Sequence, residues 1–372
     1  MPSEKAVRDH RIDALRGVAL VSMMLNHLPG KYTDCVYELF GFSSFAEVFV
    51  LLSGVVMGYV YSFVLVQNGE GALRRKAQRR AGTIYSYHIL IFLLLFVISF
   101  LITAVRPYWY NAMQLIYDQR IPALVAGFAL LYAPIGANLL PIYVIFVFFA
   151  PLLITAIHQG RVWQAFVVTA VLWGAAQFHV FFRVQVLLGQ YVPIRMAIFD
   201  PMAWWALFAS GIFLGCRKFY QVRMDARLLR RLALPAIPVL LFLLCWRHQW
   251  IALPQKGYLF SQLKSLQSLG LLRLLNFSLW GIVLLYVGRF FAVHRMPLYK
   301  GLSYLGKHSL QVYSYHALVT FVLYLQVDFW NSSRRLEQSF AMAVILASLW
   351  IPAWIHARYQ AARARKHAAS RP

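Results

Sequence analysis

The stretch FAEVFVLLSGVVMGYVYSFVLV, residues 45–66, has a single charged side chain, Glu47, and is long enough to cross a lipid bilayer. A transmembrane helix needs about 20 largely apolar residues, so this stretch predicts a membrane span. The rest of the chain has the same character. Of its 372 residues 61% are hydrophobic and only 13% are charged, and the mean hydropathy is +0.61. These values predict an all-α, polytopic integral membrane protein.

On the same criterion the chain contains about ten candidate transmembrane helices, and we predict one membrane-embedded domain over residues 1–372. The two longest segments between spans, 106–134 and 179–202, are expected on the outer side as re-entrant or surface helices. The candidate spans are 12–28, 45–66, 83–105, 135–157, 161–178, 203–219, 233–250, 269–291, 301–325 and 337–357.

Lysine and arginine residues are divided unequally between the two sides of the membrane. If the N-terminus is cytoplasmic, the segments on that side hold 23 of them and those on the other side hold 10. The positive-inside rule therefore predicts that both termini are cytoplasmic. The net charge of +24 reflects this topology and attraction to anionic lipid. Because the basic residues form no continuous stripe, nucleic acid is not expected as a partner.

Cysteine and the other metal-binding residue types give no sign of a metal site. The three cysteines, Cys35, Cys216 and Cys245, are too few and too scattered for a disulfide framework or a zinc site. We therefore expect them to act as small apolar residues. We also expect no cleavable signal peptide, since Arg16 interrupts the first apolar segment and no small-residue cleavage pattern follows it.

Arg16 and His27 lie on the first predicted helix, eleven residues apart. Eleven residues make about three turns and rise by about 16.5 Å, so the two side chains share one face at different depths. Charged side chains are costly inside a bilayer, about 2.5–3.5 kcal/mol on insertion scales, which makes this pair a functional hypothesis. Asp13, one turn before Arg16, offers a simpler explanation in which it neutralises the arginine.

Glu47 is predicted in the first turn of the second helix, at the outer depth where the first helix places His27. A carboxylate beside an imidazole fixes its tautomer and stabilises its charged form, which suits a general base acting on a hydroxyl. The alternative is that His27 reaches the lipid headgroups and that Glu47 binds a backbone group or an arginine.

A basic cluster precedes the third predicted span at the inner face. Arg79 and Arg80 belong to it, and Tyr85 and His88 follow within the helix. The positive-inside rule explains the cluster without any further function. The same residues could also hold the phosphates of a nucleotide-bearing ligand from the cytosol through charge-assisted hydrogen bonds.

Two further places carry candidate substrate-binding residues. Asp200 and Trp204 open the sixth predicted helix at the outer side, where an indole either marks the membrane interface or offers a flat face to a sugar ring. The ninth predicted helix carries His316 among other polar residues, so it is expected to face the bundle interior. His316 is either a second catalytic or orienting histidine or a hydrogen-bonded buried one.

Six short motifs follow one another over nearly the whole chain. They are Ile12-Asp13-x-x-Arg16-Gly17 with Asn26-His27, Gly41-Phe42 with Ala46-Glu47-x-Phe49-x-x-x-Ser53-Gly54, Arg79-Arg80 with Tyr85 and His88, Leu140-Pro141-Ile142-Tyr143, Asp200-Pro201-x-Ala203-Trp204, and Gly306-Lys307-His308-Ser309-Leu310. As a set they resemble the membrane acyltransferase three superfamily, and most closely its OpgC-type proteins. One departure is Trp205, where a glutamine is expected, so a polar sugar contact there is in doubt.

The resemblance implies an enzyme of the bacterial inner membrane that moves an acyl group from cytosolic acyl-CoA to a periplasmic saccharide. OpgC-type proteins succinylate osmoregulated periplasmic glucans. The implied co-substrate is therefore succinyl-CoA, with no permanently bound cofactor and no metal. The implied partners are the lipid bilayer, acyl-CoA and a saccharide acceptor.

The resemblance also implies roles for the candidate residues. Arg79 and Arg80 would hold the phosphates of acyl-CoA, and His27, oriented by Glu47, would deprotonate a glucan hydroxyl. Arg16 would bind the acyl-CoA arm or the free carboxylate of a succinyl group.

Several alternatives stay open from the sequence. The acyl group could be acetyl and the acceptor another envelope polysaccharide. Transfer could be direct or pass through an acyl group on His27, because imidazole is also a nucleophile. A lipid or sugar-lipid carrier would have the same apolar helices and buried charges. The sequence does not decide whether the protein forms a homo-oligomer.

Overall fold

The protein is described by a computed structural model that covers residues 7–28, 37–189, 199–222, 225–288, 298–332 and 334–369. These residues are largely helical and contain no β-strand, as the hydropathy pattern predicts. The helices are α1 (His10–Asn26), α2 (Phe45–Leu101), α3 (Arg106–Asp118), α4 (Arg120–Phe128), α5 (Leu139–His158), α6 (Val162–Gln177), α7 (Val180–Gly189), α8 (Pro201–Phe219), α9 (Ala226–Arg247), α10 (Tyr258–Leu263), α11 (Leu271–Val287), α12 (Tyr299–Lys307), α13 (Ser309–Tyr324), α14 (Val327–Ser332), α15 (Arg335–Ser348) and α16 (Trp350–Ala369).

Side-chain caps fix where the helices that carry the candidate residues begin. Asp9 caps α1 by accepting a hydrogen bond from the backbone N–H of Arg11. At α2 the backbone N–H of Ser44 donates to the Glu47 carboxylate in a capping box. Asp200 caps α8, with a proline in the first turn. Such caps satisfy N–H groups that have no partner within the helix.

Helix α2 is 57 residues long and reverses direction at Gly69, whose φ of 76° and ψ of 175° are not helical. The Lys76 ammonium lies 5.5 Å from the centre of the Tyr61 ring, although fifteen residues of straight helix would separate them by about 22 Å. The chain therefore folds back into a first arm, residues 45–68, and a second arm, residues 70–101. Residues 67–82, between the candidate spans 45–66 and 83–105, are thus helical except at Gly69.

The ninth predicted span is broken into two helices. His308, with a φ of −107° and a ψ of 29°, separates α12 from α13, so the prediction of one continuous helix over 301–325 is wrong. The first N–H groups of a helix have no partner within it. The break therefore places a helix N-terminus at Ser309, part-way along a predicted span.

Four helical stretches among the described residues have the length and composition of a membrane span: Phe45–Leu101, Leu139–His158, Ala226–Arg247 and Arg335–Lys366. Helices α6 and α7, bent by 61°, give a fifth if the pair is counted as one span. The protein is therefore a membrane protein by its apolar helices. The count of about ten spans and the cytoplasmic position of both termini stay predictions.

Close helix packing holds the centre of the bundle. The first arm of α2 packs on α8 through glycines, and a Cβ atom at Gly54 would lie 2.2 Å from the backbone oxygen of Phe208. Helix α1 packs on α12 in the same way, since a Cβ at Gly17 would lie 2.0 Å from the backbone oxygen of Leu302. Small residues let helix backbones approach in membrane bundles. These contacts place α1 between α2, α12 and α13.

Candidate functional site

The imidazole rings of His27 and His316 lie side by side, with centroids 5.0 Å apart and planes tilted by 53°. His27 forms the C-cap of α1, and its backbone N–H donates to the carbonyl of Met24. His316 lies in the middle of α13 and is 1% exposed. The structure therefore brings together two histidines from separate motifs of the sequence.

Both ring nitrogens of His316 are buried and have no hydrogen-bond partner among the described residues. The side-chain oxygen of Asn26, the neighbour of His27, is in the same situation. Buried polar atoms are nearly always paired, so each exception calls for an explanation. The two unpaired nitrogens of His316, next to the His27 ring, can therefore form hydrogen bonds with a polar reactant.

A continuous line of rings connects the two histidines to Arg16. The Arg16 guanidinium lies 5.4 Å from the centre of Phe49, and Phe49 stacks on Tyr313 with 6.4 Å between centroids. Tyr313 in turn lies 5.8 Å from His316. Arg16 and His27 of α1 are therefore connected by a continuous row of packed side chains, as their shared helix face predicts.

Arg16 faces a small cavity of about 30 Å³, the room of roughly one water molecule. Its Nη2 donates to the Ser309 hydroxyl at 2.6 Å, and its buried Nε has no partner among the described residues. Arg80, from the second arm of α2, lines the same cavity. Two guanidinium groups and no carboxylate in the described lining make the cavity suited to an anionic group.

The N-terminus of α13 adds to this positive character. Ser309 and Leu310, its first two residues, line the cavity, so the unpaired N–H groups of a 16-residue helix lie at its wall. Helix N-termini favour anions through these N–H groups and the helix dipole. We refer to the cavity between Arg16, Arg80 and Ser309 as the arginine cavity.

The four inner-face residues expected to bind acyl-CoA do not lie in one place in the structure. Arg80 lines the arginine cavity, whereas Arg79 is exposed and does not line it. The Tyr85 hydroxyl donates to the backbone oxygen of Phe128 at 2.9 Å. His88 donates from Nε2 to the backbone oxygen of Gly127 at 3.0 Å. Tyr85 and His88 thus hold α2 against α4, and their contact with the ligand stays a prediction.

Glu47 does not pair with His27. Its Oε1 accepts from Nη1 of Arg273 at 2.5 Å, and its Oε2 accepts from the Ser44 hydroxyl at 2.5 Å. The carboxylate is completely buried. The hydrogen-bonding positions that would orient an imidazole are therefore occupied, and the predicted His27–Glu47 pair is corrected to a Glu47–Arg273 ion pair.

Arg273 is the centre of a four-charge cluster that the sequence analysis did not identify. It lies on α11, is 1% exposed and contacts Glu38 as well as Glu47. Arg247 donates to the other oxygen of Glu38 at 2.6 Å. Arg273, well inside the apolar stretch 269–291, was the available signal, since such a charge needs a partner in the bundle.

The residues expected to bind the sugar have structural contacts. Trp204 is fully buried and its indole N–H donates to the backbone oxygen of Leu266 at 3.1 Å, so its ring offers no open face to a sugar. Asp200 accepts from the backbone N–H of Met202 at 2.8 Å, while its Oδ2 is buried without a partner among the described residues. Burial raises the pKa of the Asp200 carboxyl, opposed by its backbone hydrogen bonds.

Groups that could hold a metal are not found in the described part of the chain, where no three His, Cys, Asp or Glu side chains come together. Cys216 is buried beside the Ser62 hydroxyl, 3.5 Å away, and Cys245 is half-buried. Cys35 lies outside the described residues.

The sequence matches the family described as OpgC protein over residues 8–361. The chain belongs to the OpgC protein family. Comparisons with curated proteins and with solved structures give no match. Membership of the OpgC family suggests a membrane acyltransferase role in glucan modification. The matched range contains Arg16, His27, Arg80 and His316, so the site described above lies within the part of the chain that the OpgC family shares.

Proposed function

We propose that this OpgC-family protein is an integral membrane O-acyltransferase that moves an acyl group, succinyl in the first place, from cytosolic acyl-CoA to a hydroxyl of a periplasmic glucan. The observation that carries the proposal is the His27–His316 pair, connected through packed rings to the arginine cavity. Family membership supports the acyltransferase class. The basic residues of the predicted inner segments support an inner-membrane protein with both termini in the cytoplasm.

In this proposal His27 removes the proton from the acceptor hydroxyl as its oxygen attacks the thioester carbonyl. The tetrahedral intermediate then collapses, the carbon–sulfur bond breaks, and the proton passes from the His27 imidazolium to the leaving CoA thiolate. In a second route the neutral His27 imidazole attacks the thioester carbonyl, the carbon–sulfur bond breaks, and CoA leaves as the thiolate. The acceptor hydroxyl oxygen then attacks the acyl-imidazolium, the carbon–nitrogen bond breaks, and the hydroxyl proton passes to the CoA thiolate, which leaves His27 neutral again.

His316 has a different role in the proposal. It is buried beside His27 with both nitrogens unpaired, so one of its tautomers presents an N–H toward the reacting groups. A preorganised N–H stabilises the oxyanion of an acyl-transfer intermediate. Glu47 is assigned to the Arg273 ion pair and has no part in the transfer step.

The arginine cavity is proposed to bind an anionic group of the acyl donor. Two groups of the donor accept charge-assisted hydrogen bonds from guanidinium, a phosphate of CoA and the free carboxylate of a succinyl group. A CoA phosphate agrees better with reaction at His27, because about 16.5 Å of helix separates Arg16 from His27 and a succinyl carboxylate lies only a few bonds from its own thioester. The cavity of about 30 Å³ has the room of roughly one water molecule, so the side chains around Arg80 have to move to admit either group.

The test is mass spectrometry of periplasmic glucans from cells with wild-type protein, with His27→Ala or with no copy, at matched expression. Succinyl groups that appear only with wild-type protein support the proposal, and acetyl groups would change the donor. Unmodified glucans in all three strains would exclude this acceptor. Release of free CoA by purified protein would then separate an enzyme for another acceptor from a carrier, which consumes no thioester.

The two chemistries of the arginine cavity are separated by comparing succinyl-CoA with acetyl-CoA as donors for Arg16→Gln. If Arg16 binds the succinyl carboxylate, the variant loses activity with succinyl-CoA only. If it binds a CoA phosphate, both donors lose activity by the same factor. An unchanged KM for both donors would exclude Arg16 from donor binding.

A further inference from the structure

A second, larger cavity of about 670 Å³ lies between α5, α6 and α8. It is lined by residues between positions 145 and 156 of α5, 161 and 172 of α6, and 201 and 205 of α8, and it shares no lining residue with the arginine cavity. We refer to it as the α6 slot. Nothing in the proposed transfer reaction uses it.

The slot results from the way α6 is attached to the bundle. Near its C-terminal end the Trp173 indole N–H donates to the backbone oxygen of Leu269 at 3.0 Å, and Gln177 donates to the backbone oxygen of Ser268 at 2.7 Å. Ala176, between them, is the one fully buried residue of α6. The N-terminal half of α6 has no such anchors among the described residues and leaves a gap beside α5.

The slot opens sideways along its length. Phe149 and Leu152 of α5 and Val168 of α6 line it and are about half exposed, at 47%, 58% and 57%. These residues lie in predicted spans, so the opening faces lipid tails. A lipid can therefore pass between the bilayer and the slot without crossing the protein.

The charge in the slot is confined to one end. Arg161, at the N-terminal end of α6, is the one charged residue of its described lining, and Gln164 lies one turn further in. From Arg161 to Leu172 the helix rises by about 16.5 Å, close to the roughly 15 Å of one bilayer leaflet. Trp205 lines the other end.

We propose that the α6 slot binds one anionic phospholipid of the leaflet next to Arg161, with the headgroup phosphate on the Arg161 guanidinium and an acyl chain along α6. The order of the lining supports this occupant: a cation at one end, a polar amide at the depth of the ester carbonyls, then apolar side chains over one leaflet. By the positive-inside pattern this leaflet is the cytoplasmic one, which carries anionic lipid.

Charge, and not the hydrophobic effect, has to select the lipid. The transfer of an acyl chain from the bilayer to the slot has a small free-energy change, because both surroundings are apolar. The positive charge of Arg161 attracts an anionic headgroup more strongly than a zwitterionic one. The proposal thus predicts a preference for phosphatidylglycerol over phosphatidylethanolamine that depends on Arg161.

The experiment is native mass spectrometry of the full-length protein in mild detergent after addition of phosphatidylglycerol and phosphatidylethanolamine in equal amounts. Ala165→Trp places an indole inside the slot, and Ala170→Trp places the same indole on an exposed position of α6 outside its lining. Arg161→Ala removes the headgroup contact, with Arg227→Ala, an exposed arginine outside the lining, as its control. Size-exclusion chromatography and thermal unfolding verify that each variant is folded.

We expect wild type and both controls to retain one phosphatidylglycerol with about fivefold preference. Ala165→Trp should lose that lipid, and Arg161→Ala should bind the two lipids about equally. Equal retention by wild type and Ala165→Trp would overturn the site, and an unchanged preference in Arg161→Ala would overturn the headgroup assignment. A dimer that Ala165→Trp disrupts, with no bound lipid in wild type, would place a second copy in the slot and overturn the proposal.

Discussion

His27 and His316 are in ring contact, 5.0 Å between centroids, although 289 residues of sequence separate them and only one of the two is fully buried. The contact joins the C-terminal end of α1 to the middle of α13. If His27 exchanges the proton during transfer and His316 donates a hydrogen bond, the two residues contribute unequally to the rate.

We therefore predict that His27→Ala lowers kcat by about 10²–10⁴-fold, the range expected for loss of a general base. His316→Phe, which keeps a ring in the contact but removes both nitrogens, should lower kcat by about 10²-fold, as for loss of one oxyanion donor. CoA release by protein in proteoliposomes measures both. His248→Phe, a change of a half-buried histidine outside the site, is the control. Full activity in His316→Phe would contradict the assignment of His316.

Arg16 and Arg80 line one cavity, so their effects on donor binding should be coupled. Arg16→Gln and Arg80→Gln are each predicted to raise the KM for acyl-CoA by about tenfold, as for loss of one hydrogen bond to a charged group. The double variant should raise KM by less than the product of the two factors, because contacting residues are not additive. Arg79→Gln, an exposed neighbour outside the cavity, should leave KM unchanged. Fully multiplicative effects would mean that the two arginines bind separate groups.

The sequence points to several residues of the candidate site because membrane insertion penalises charge. Arg16 and His27 stand out in an apolar helix, and their shared face follows from helix periodicity. His316 is found for the same reason. The contact between His316 and His27 cannot be predicted in this way, because the local sequence does not indicate which helices are adjacent in the bundle.

The errors have one physical cause, the partners that tertiary packing supplies. Glu47 has the right depth to meet His27, but Arg273, 226 residues away in sequence, binds it. Trp204 has the composition of an interface indole, but the backbone at Leu266 covers it. The break at His308 is equally hard to find from the sequence, because no proline lies within 301–325 to mark it.

The Arg273 cluster yields a prediction about stability. Arg273→Met leaves the buried carboxylates of Glu38 and Glu47 without their shared cation and should lower the free energy of unfolding by about 3–5 kcal/mol. Adding Glu47→Gln should restore part of the loss, since one uncompensated charge is removed. Thermal unfolding in detergent measures the effect, with the exposed Arg227→Met as control. If Arg273→Met is as stable as wild type, the four-charge cluster does not stabilise the fold.

The ion pair between Asp9 and Lys218 should make stability depend on pH. Lys218 Nζ lies 2.5 Å from Asp9 Oδ2 and joins the start of α1 to the end of α8. Burial by itself raises the pKa of the Asp9 carboxyl, but the hydrogen bond and charge of Lys218 outweigh it, and the net pKa is lowered from 3.8. A carboxyl with a lowered folded-state pKa stabilises the fold above its unfolded pKa, and this contribution is lost as the pH falls through the folded value.

Asp9→Asn tests this dependence because asparagine keeps the N-cap of α1 and removes only the charge. The variant should be less stable than wild type by about 0.5–1 kcal/mol near neutral pH, the range for a pair that is partly exposed. The difference should stay constant down to about pH 5 and shrink below about pH 4. Asp225→Asn, at an N-cap with no ion pair among the described residues, is the control and should show a smaller difference at neutral pH. A difference between wild type and Asp9→Asn that persists unchanged at about pH 3 would show that the carboxylate acts through its cap geometry and not through Lys218.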